Sequence, residues 1–229
     1  MELMKVFAEV RFEPSFLFED ARTRNDVFKE LRKEMQYVEQ EDNKMLVFIN
    51  LKDSSKCVLQ HDKVILDIDT PKDILKIKSL SSLVVPFVLK RFEVAKTERI
   101  GVRAHYVDNK VNDRREISNM IAGTFFGQNL KQFINDHGND VDINPRIGFT
   151  MKLNHELGII VNIGVQERGP AQVDEKGKVV SFSAESSFPL TDLDVFTQIP
   201  KTPEQINGVL GACCSNIDSY LHKIWRIEK

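Results

Sequence analysis

Apolar and polar positions first alternate along Val6-Phe7-Ala8-Glu9-Val10-Arg11-Phe12, where Val6, Ala8, Val10 and Phe12 fall on one face of a strand that Pro14 closes. From about Asp20 to Gln36 the spacing becomes helical. Val27, Leu31 and Met35 share one stripe with Phe28 beside it, and Arg24, Lys29, Arg32 and Lys33 point to water. Residues 45–51 return to strand spacing. Asp53-Ser54-Ser55 turns the chain into Cys57-Val58-Leu59-Gln60, and His61-Asp62 turns it tightly into Val64-Ile65-Leu66-Asp67-Ile68-Asp69. Thr70-Pro71 predicts a second helix, with Thr70 as its N-cap and Pro71 in the first turn, running to about Phe92 with a kink at Pro86.

The clearest strand, Arg99-Ile100-Gly101-Val102-Arg103-Ala104-His105-Tyr106, lies near the midpoint and opens a second series. A helix is expected from about Asp113 to Asp136, with Ile117, Ile121, Phe125, Leu130, Phe133 and Ile134 apolar. A hairpin of 146–154 and 158–166 follows, around His155-Glu156-Leu157-Gly158. Residues 167–178 form a polar, glycine-containing loop. Strands at 179–184 and 190–196 lead to a final helix from about Pro203 to Trp225, capped by Thr202. Both halves therefore spell β-α-β-β-β-α, residues 1–94 and then 95–229 with longer hairpins. The expectation is an α+β fold of two diverged repeats in one pseudo-symmetric domain: a mostly antiparallel sheet covered on one face by helices.

Composition narrows this little. The 229 residues are 41% hydrophobic and 29% charged, ordinary for a folded soluble chain. No run approaches a bilayer span, and the N-terminus lacks the features of a signal peptide, so a cytoplasmic address is expected. The net charge of -2 is evenly spread, with 16 basic and 17 acidic residues in each half. A dedicated nucleic-acid binder would carry a basic half or tail. Three cysteines, Cys57 and the adjacent Cys213 and Cys214, make no disulfide framework and suit small buried positions.

The Arg99-Ile100-Gly101-Val102-Arg103 strand ending in Tyr106, the Gln60-His61-Asp62-Lys63 turn and the closing Tyr220-Leu221-His222-Lys223-Ile224 segment resemble a sporadically distributed family of uncharacterised prokaryotic proteins. Its members carry an Arg-Ile-Gly-Leu-Arg-Tyr strand near mid-chain. The resemblance implies no established activity. A patchy distribution is what accessory or defence-associated genes show.

Candidate chemistry sits on the polar faces of the strands. Arg11, Arg103, His105, Lys152, Asn154 and Asn162 are candidate ligand-binding residues, because a face rich in Arg, Lys and Asn can hold a ligand or a partner. The plainer alternative is a sheet face turned to water, with Arg11 pairing across strands to Asp67 and Arg103 to Asp194. Asp67 and Asp194, each with a second aspartate two positions away, are the weak candidates for a divalent cation; otherwise no metal and no cofactor are expected. The five histidines have no metal-ligand spacing, and no catalytic residue stands out. A non-catalytic module binding a protein partner, a second copy or a small ligand, through this face or the 168–178 loop, is the leading expectation. A metal-dependent enzyme acting on a phosphate-bearing substrate or nucleic acid is the alternative.

Overall fold

In the computed structural model, described for residues 1–41, 45–111, 113–127, 129, 132, 145–173 and 179–225, the elements follow the expected order closely. Strand β1 (Glu2–Phe12) leads through a short 3-10 turn (Phe16–Phe18) to α1 (Ala21–Leu31). Then come β2 (Tyr37–Glu41), β3 (Met45–Asn50), β4 (Ser55–Gln60), β5 (Lys63–Asp69) and α2 (Leu75–Arg91). The second series is β6 (Thr97–Val107), α3 (Arg114–Phe125), β7 (Ile147–Lys152), β8 (Gly158–Arg168), β9 (Ala171–Val173), β10 (Val179–Phe182), β11 (Ser186–Thr197) and α4 (Ile206–Trp225). The class is α+β. Nine strands pair in the order β2-β3-β4-β5-β1-β6-β11-β8-β7, and β9 and β10 form a separate hairpin. The β2–β3, β3–β4, β4–β5 and β1–β5 pairings are all antiparallel.

The chain divides into two compact units. One comprises residues 3–105, 150–160 and 193–229 and draws residues from all nine strands; the other comprises 1–2, 106–149 and 161–192. In the larger unit, alternation along the strands puts Val6, Ala8 and Val10 of β1, Leu66 and Ile68 of β5, and Ile100, Val102 and Ala104 of β6 out of water. The same unit contributes the apolar stripes of three helices. Val27 and Leu31 of α1, Ile77, Val84 and Val88 of α2, and Leu210, Cys213 and Ile217 of α4 are all buried. Helix α2 packs on β5 and on α4, and the Cys213 thiol reaches the Val102 backbone of β6. In the smaller unit, Ile117 and Ile121 of α3 and Val161 and Ile163 of β8 are buried. Among the described residues no helix is long and apolar enough to cross a membrane.

Three local expectations need correction. Strand β2 was not expected, because Tyr37-Val38-Glu39-Gln40-Glu41 has too little apolar alternation to announce itself; its backbone pairs with β3 from Tyr37↔Ile49 to Glu41↔Met45. Helix α2 starts at Leu75, not at Thr70. Thr70 has φ +47° and so cannot take the extended N-cap conformation; its N–H instead donates to the Met4 carbonyl at 2.7 Å. Asp73 serves the helix start, its Oδ1 accepting from the N–H groups of Leu75 and Lys76.

The expected 167–178 loop contains β9, and its residues 174–178 lie outside the described residues. Gly169 fits there because a side chain would run into the Ser183 carbonyl. The later part of the helix expected to Asp136, including Leu130, Phe133 and Ile134, also lies outside the described residues. Asp20 and Asp113 cap α1 and α3 through bonds from Thr23 N at 2.7 Å and Glu116 N at 2.8 Å.

All three cysteines are fully buried. Burial pushes the Cys213 thiol up to about 12 and the Cys214 thiol up to about 11, and raises Cys57 as well. A thiol kept protonated and enclosed is a poor nucleophile. Thiol titration with a chromogenic disulfide should therefore show none of the three reacting promptly in the native protein and all three reacting once denaturant is added.

Candidate functional site

On β1 and β6 of the larger unit, the residues out of phase with the core converge on a depression of about 420 Å³. Phe7, Glu9 and Arg11 come from β1, Arg99, Gly101 and Arg103 from β6, Ile65 from β5 and Asp194 from β11. Period two explains the set: each residue sits two positions from the next on its own strand, opposite the buried series.

Arg99 is the hub. Its Nη1 donates to Glu9 Oε1 at 2.8 Å, and its Nη2 donates to Asp194 Oδ2 at 2.8 Å and Oδ1 at 3.0 Å. The guanidinium also lies over the Phe196 ring, 5.0 Å from the centroid. Glu9 is shared, because Arg11 donates to it through Nε at 2.8 Å and Nη2 at 3.1 Å. Hydrogen bonding to Glu9, reinforced by that carboxylate's charge, raises the Arg11 pKa above its ordinary value. The result is a chain of alternating charge, Arg11–Glu9–Arg99–Asp194. Arg99, Glu9 and Asp194 keep only 18%, 21% and 17% of their side-chain surface exposed. Gly101 makes the arrangement possible: a Cβ there would lie 3.0 Å from Arg99 Nη1 and 3.1 Å from the Phe196 Cβ.

A second ionic group lies along β1 and β5. Lys5 Nζ sits 3.1 Å from Asp67 and 2.9 Å from Asp69 and 5.0 Å from the Phe7 centroid. Burial pulls the Lys5 pKa down, but hydrogen bonds and attraction from Asp69 and Asp67 outweigh it, so the net direction is up. For Asp67 burial is the larger influence, outweighing Lys5, and its pKa rises.

The Arg11–Asp67 ion pair expected from sequence is replaced. Arg11 does not reach Asp67 because the register sets Arg11 opposite Lys63 and Asp67 opposite Phe7, four residues or about 13 Å apart along the strand. Asp194 accepts from Arg99. Asp69 pairs with Lys5 instead of capping α2.

Of the residues singled out in the sequence, Arg11, Arg103 and Asp194 line the depression. His105 packs edge-on against Phe7, ring centroids 5.3 Å apart. Lys152 is exposed at the end of β7. Asn154 is a turn residue, its Oδ1 accepting from the N–H groups of Glu156 and Leu157 at 2.8 Å each. Asn162 belongs to the smaller unit, where its Nδ2 donates to Asp192 at 3.2 Å beside a separate depression of about 390 Å³. Arg99 and Glu9 carry the geometry, yet Arg99 is not among the candidate residues of the sequence. The available signal was its i, i+2 spacing to Gly101 and Arg103, which puts a bulky cation beside a residue with no side chain. Among the described residues no group of three or more His, Cys, Asp and Glu side chains is placed to hold a metal ion.

A scan against protein-family models finds no match, and no curated protein matches the sequence. The reading of the site rests on its own geometry.

Replacing Gly101 by Ala should force Arg99 and Phe196 to give way slightly and cost about 1–3 kcal/mol, seen as a lower urea midpoint; an unchanged midpoint would mean the guanidinium moves aside freely. Lys5 offers a pH test. Its raised pKa means the contribution to stability is fully present below the ordinary 10.5 and is lost as pH rises through the higher folded value. Denaturant titrations across that alkaline range should show a smaller decline in Lys5→Met than in the native chain.

Proposed function

We propose that this chain is a non-catalytic binding module whose open sheet face takes an anionic group, carboxylate or phosphate, of a small ligand or of a partner. The observation that carries the reading is the convergence of Arg11, Arg99 and Arg103 on one depression floored by Phe7 and Ile65. A guanidinium presents a planar fork of donors that matches carboxylate and phosphate oxygens, and pairing with Glu9 and Asp194 holds two of these forks in place. Those two carboxylates leave the depression only modestly positive, which suits a compact anion better than a polyanion and makes nucleic acid the poorer fit. A cytoplasmic accessory or defence-associated role in a prokaryote is the setting that the family resemblance implies.

The alternative, a metal-dependent enzyme on a phosphate-bearing substrate, needs Asp67 or Asp194 to hold a cation. Both already face one: Lys5 lies against Asp67 and Arg99 against Asp194. The enzyme reading is the weaker for that reason.

Native mass spectrometry on protein purified from its own host is the first measurement, with a co-purifying anion as the expected result. Arg103→Ala should weaken retention of that anion about tenfold, or ~1.4 kcal/mol, with the melting temperature nearly unchanged. A large fall in melting temperature with retention intact would make Arg103 a structural residue.

A further inference from the structure

Where β1 gives way to the turn before α1, and α2 gives way to β6, the larger unit has an open groove of about 540 Å³. Residues 13–17, residues 92–98 and Pro200 line it. Phe16 stands on the rim with 90% of its surface exposed, and Ile199, next to Pro200, is exposed as well. The groove is built on firm backbone. Ser15 donates through Oγ to the Phe92 carbonyl at 2.8 Å and through its N–H to the His61 carbonyl at 2.8 Å. Phe16 is not alone there: Pro14, Leu17 and Pro200 line the same groove, and Ile199 lies exposed beside it.

The frame around this apolar centre is acidic. Glu13, Glu93 and Glu98 line it against a single cation, Lys96. Glu93 is the telling one. It holds φ +53° at the C-terminal end of α2, where Val94 N donates to the Leu89 carbonyl at 2.9 Å. Glycine is the residue that suits this left-handed position. A glutamate there lines the groove against the backbone's preference.

We propose that this groove docks a short extended segment of a partner protein that carries an apolar side chain between lysines or arginines. The apolar group packs beside Phe16, and the flanking cations meet Glu13, Glu93 and Glu98. A second copy of this chain suits the groove less well, because a self-complementary contact would set the same three carboxylates against each other. An anionic membrane surface is repelled for the same reason. The groove shares no residue with the arginine-lined depression, so either assignment can fail without the other.

The experiment is an array of short peptides varied at a central apolar residue and in flanking charge, probed with the full chain and followed by fluorescence anisotropy on the strongest binders. Binding should be confined to apolar centres with basic flanks. Phe16→Ser and Glu93→Gly should each weaken it about tenfold or more. Glu93→Gly should do so with the melting temperature level or raised, since glycine relieves the backbone. Glu13→Lys combined with Glu98→Lys should move the preference toward acidic flanks. Absence of any basic-flanked binder, or affinity unchanged in Phe16→Ser, overturns the proposal. So does a homodimer in sedimentation that Phe16→Ser dissociates, which gives the groove to a second copy. Flotation with anionic vesicles that Phe16→Ser abolishes overturns it too, giving the groove to a membrane.

Discussion

Successive side chains of a strand point to opposite faces, so burying Val6, Ala8 and Val10 obliges Lys5, Phe7, Glu9 and Arg11 to share the other side. The same rule acts on β6, where enclosing Ile100, Val102 and Ala104 sets Arg99, Gly101, Arg103 and His105 in one row. The charged face of the larger unit is thus a by-product of its core. Shifting either strand by one residue would bury arginines and expose valines, which makes this register costly to change.

Once charges are placed side by side on a half-covered surface, they must neutralise one another. The solution on this face is sharing. Glu9 serves both Arg11 and Arg99, Arg99 serves both Glu9 and Asp194, and Lys5 serves both Asp67 and Asp69. Shared pairs restrict rotamers more than isolated ones, so the guanidinium forks of Arg11 and Arg99 are held in fixed positions on the sheet. Phe7 and Phe196 lie under Lys5 and Arg99 and keep the cations close to the sheet.

The acidic groove follows a different logic. It arises where elements change direction, so apart from Thr97 and Glu98 at the start of β6 its residues belong to no strand face. A turn can tolerate many residues, which makes an exposed Phe16 and a glutamate in glycine's conformation at position 93 more informative than any single charge on the sheet.

The sequence by itself determined the class of fold and most elements, because apolar periods of two and of about 3.6 follow from backbone geometry and need no tertiary partner. It also determined which side of each strand is polar, and through Asp20 and Asp113 where two helices begin. Pairing was another matter. Strand β2 exists because β3 offers it an edge, and Thr70 leaves its expected capping role because Met4 offers its N–H an acceptor. That Arg11 meets Glu9 and not Asp67, and that Asp194 meets Arg99, depends on register and strand order. Those are long-range quantities, set by how the whole core packs, and no local stretch of chain encodes them.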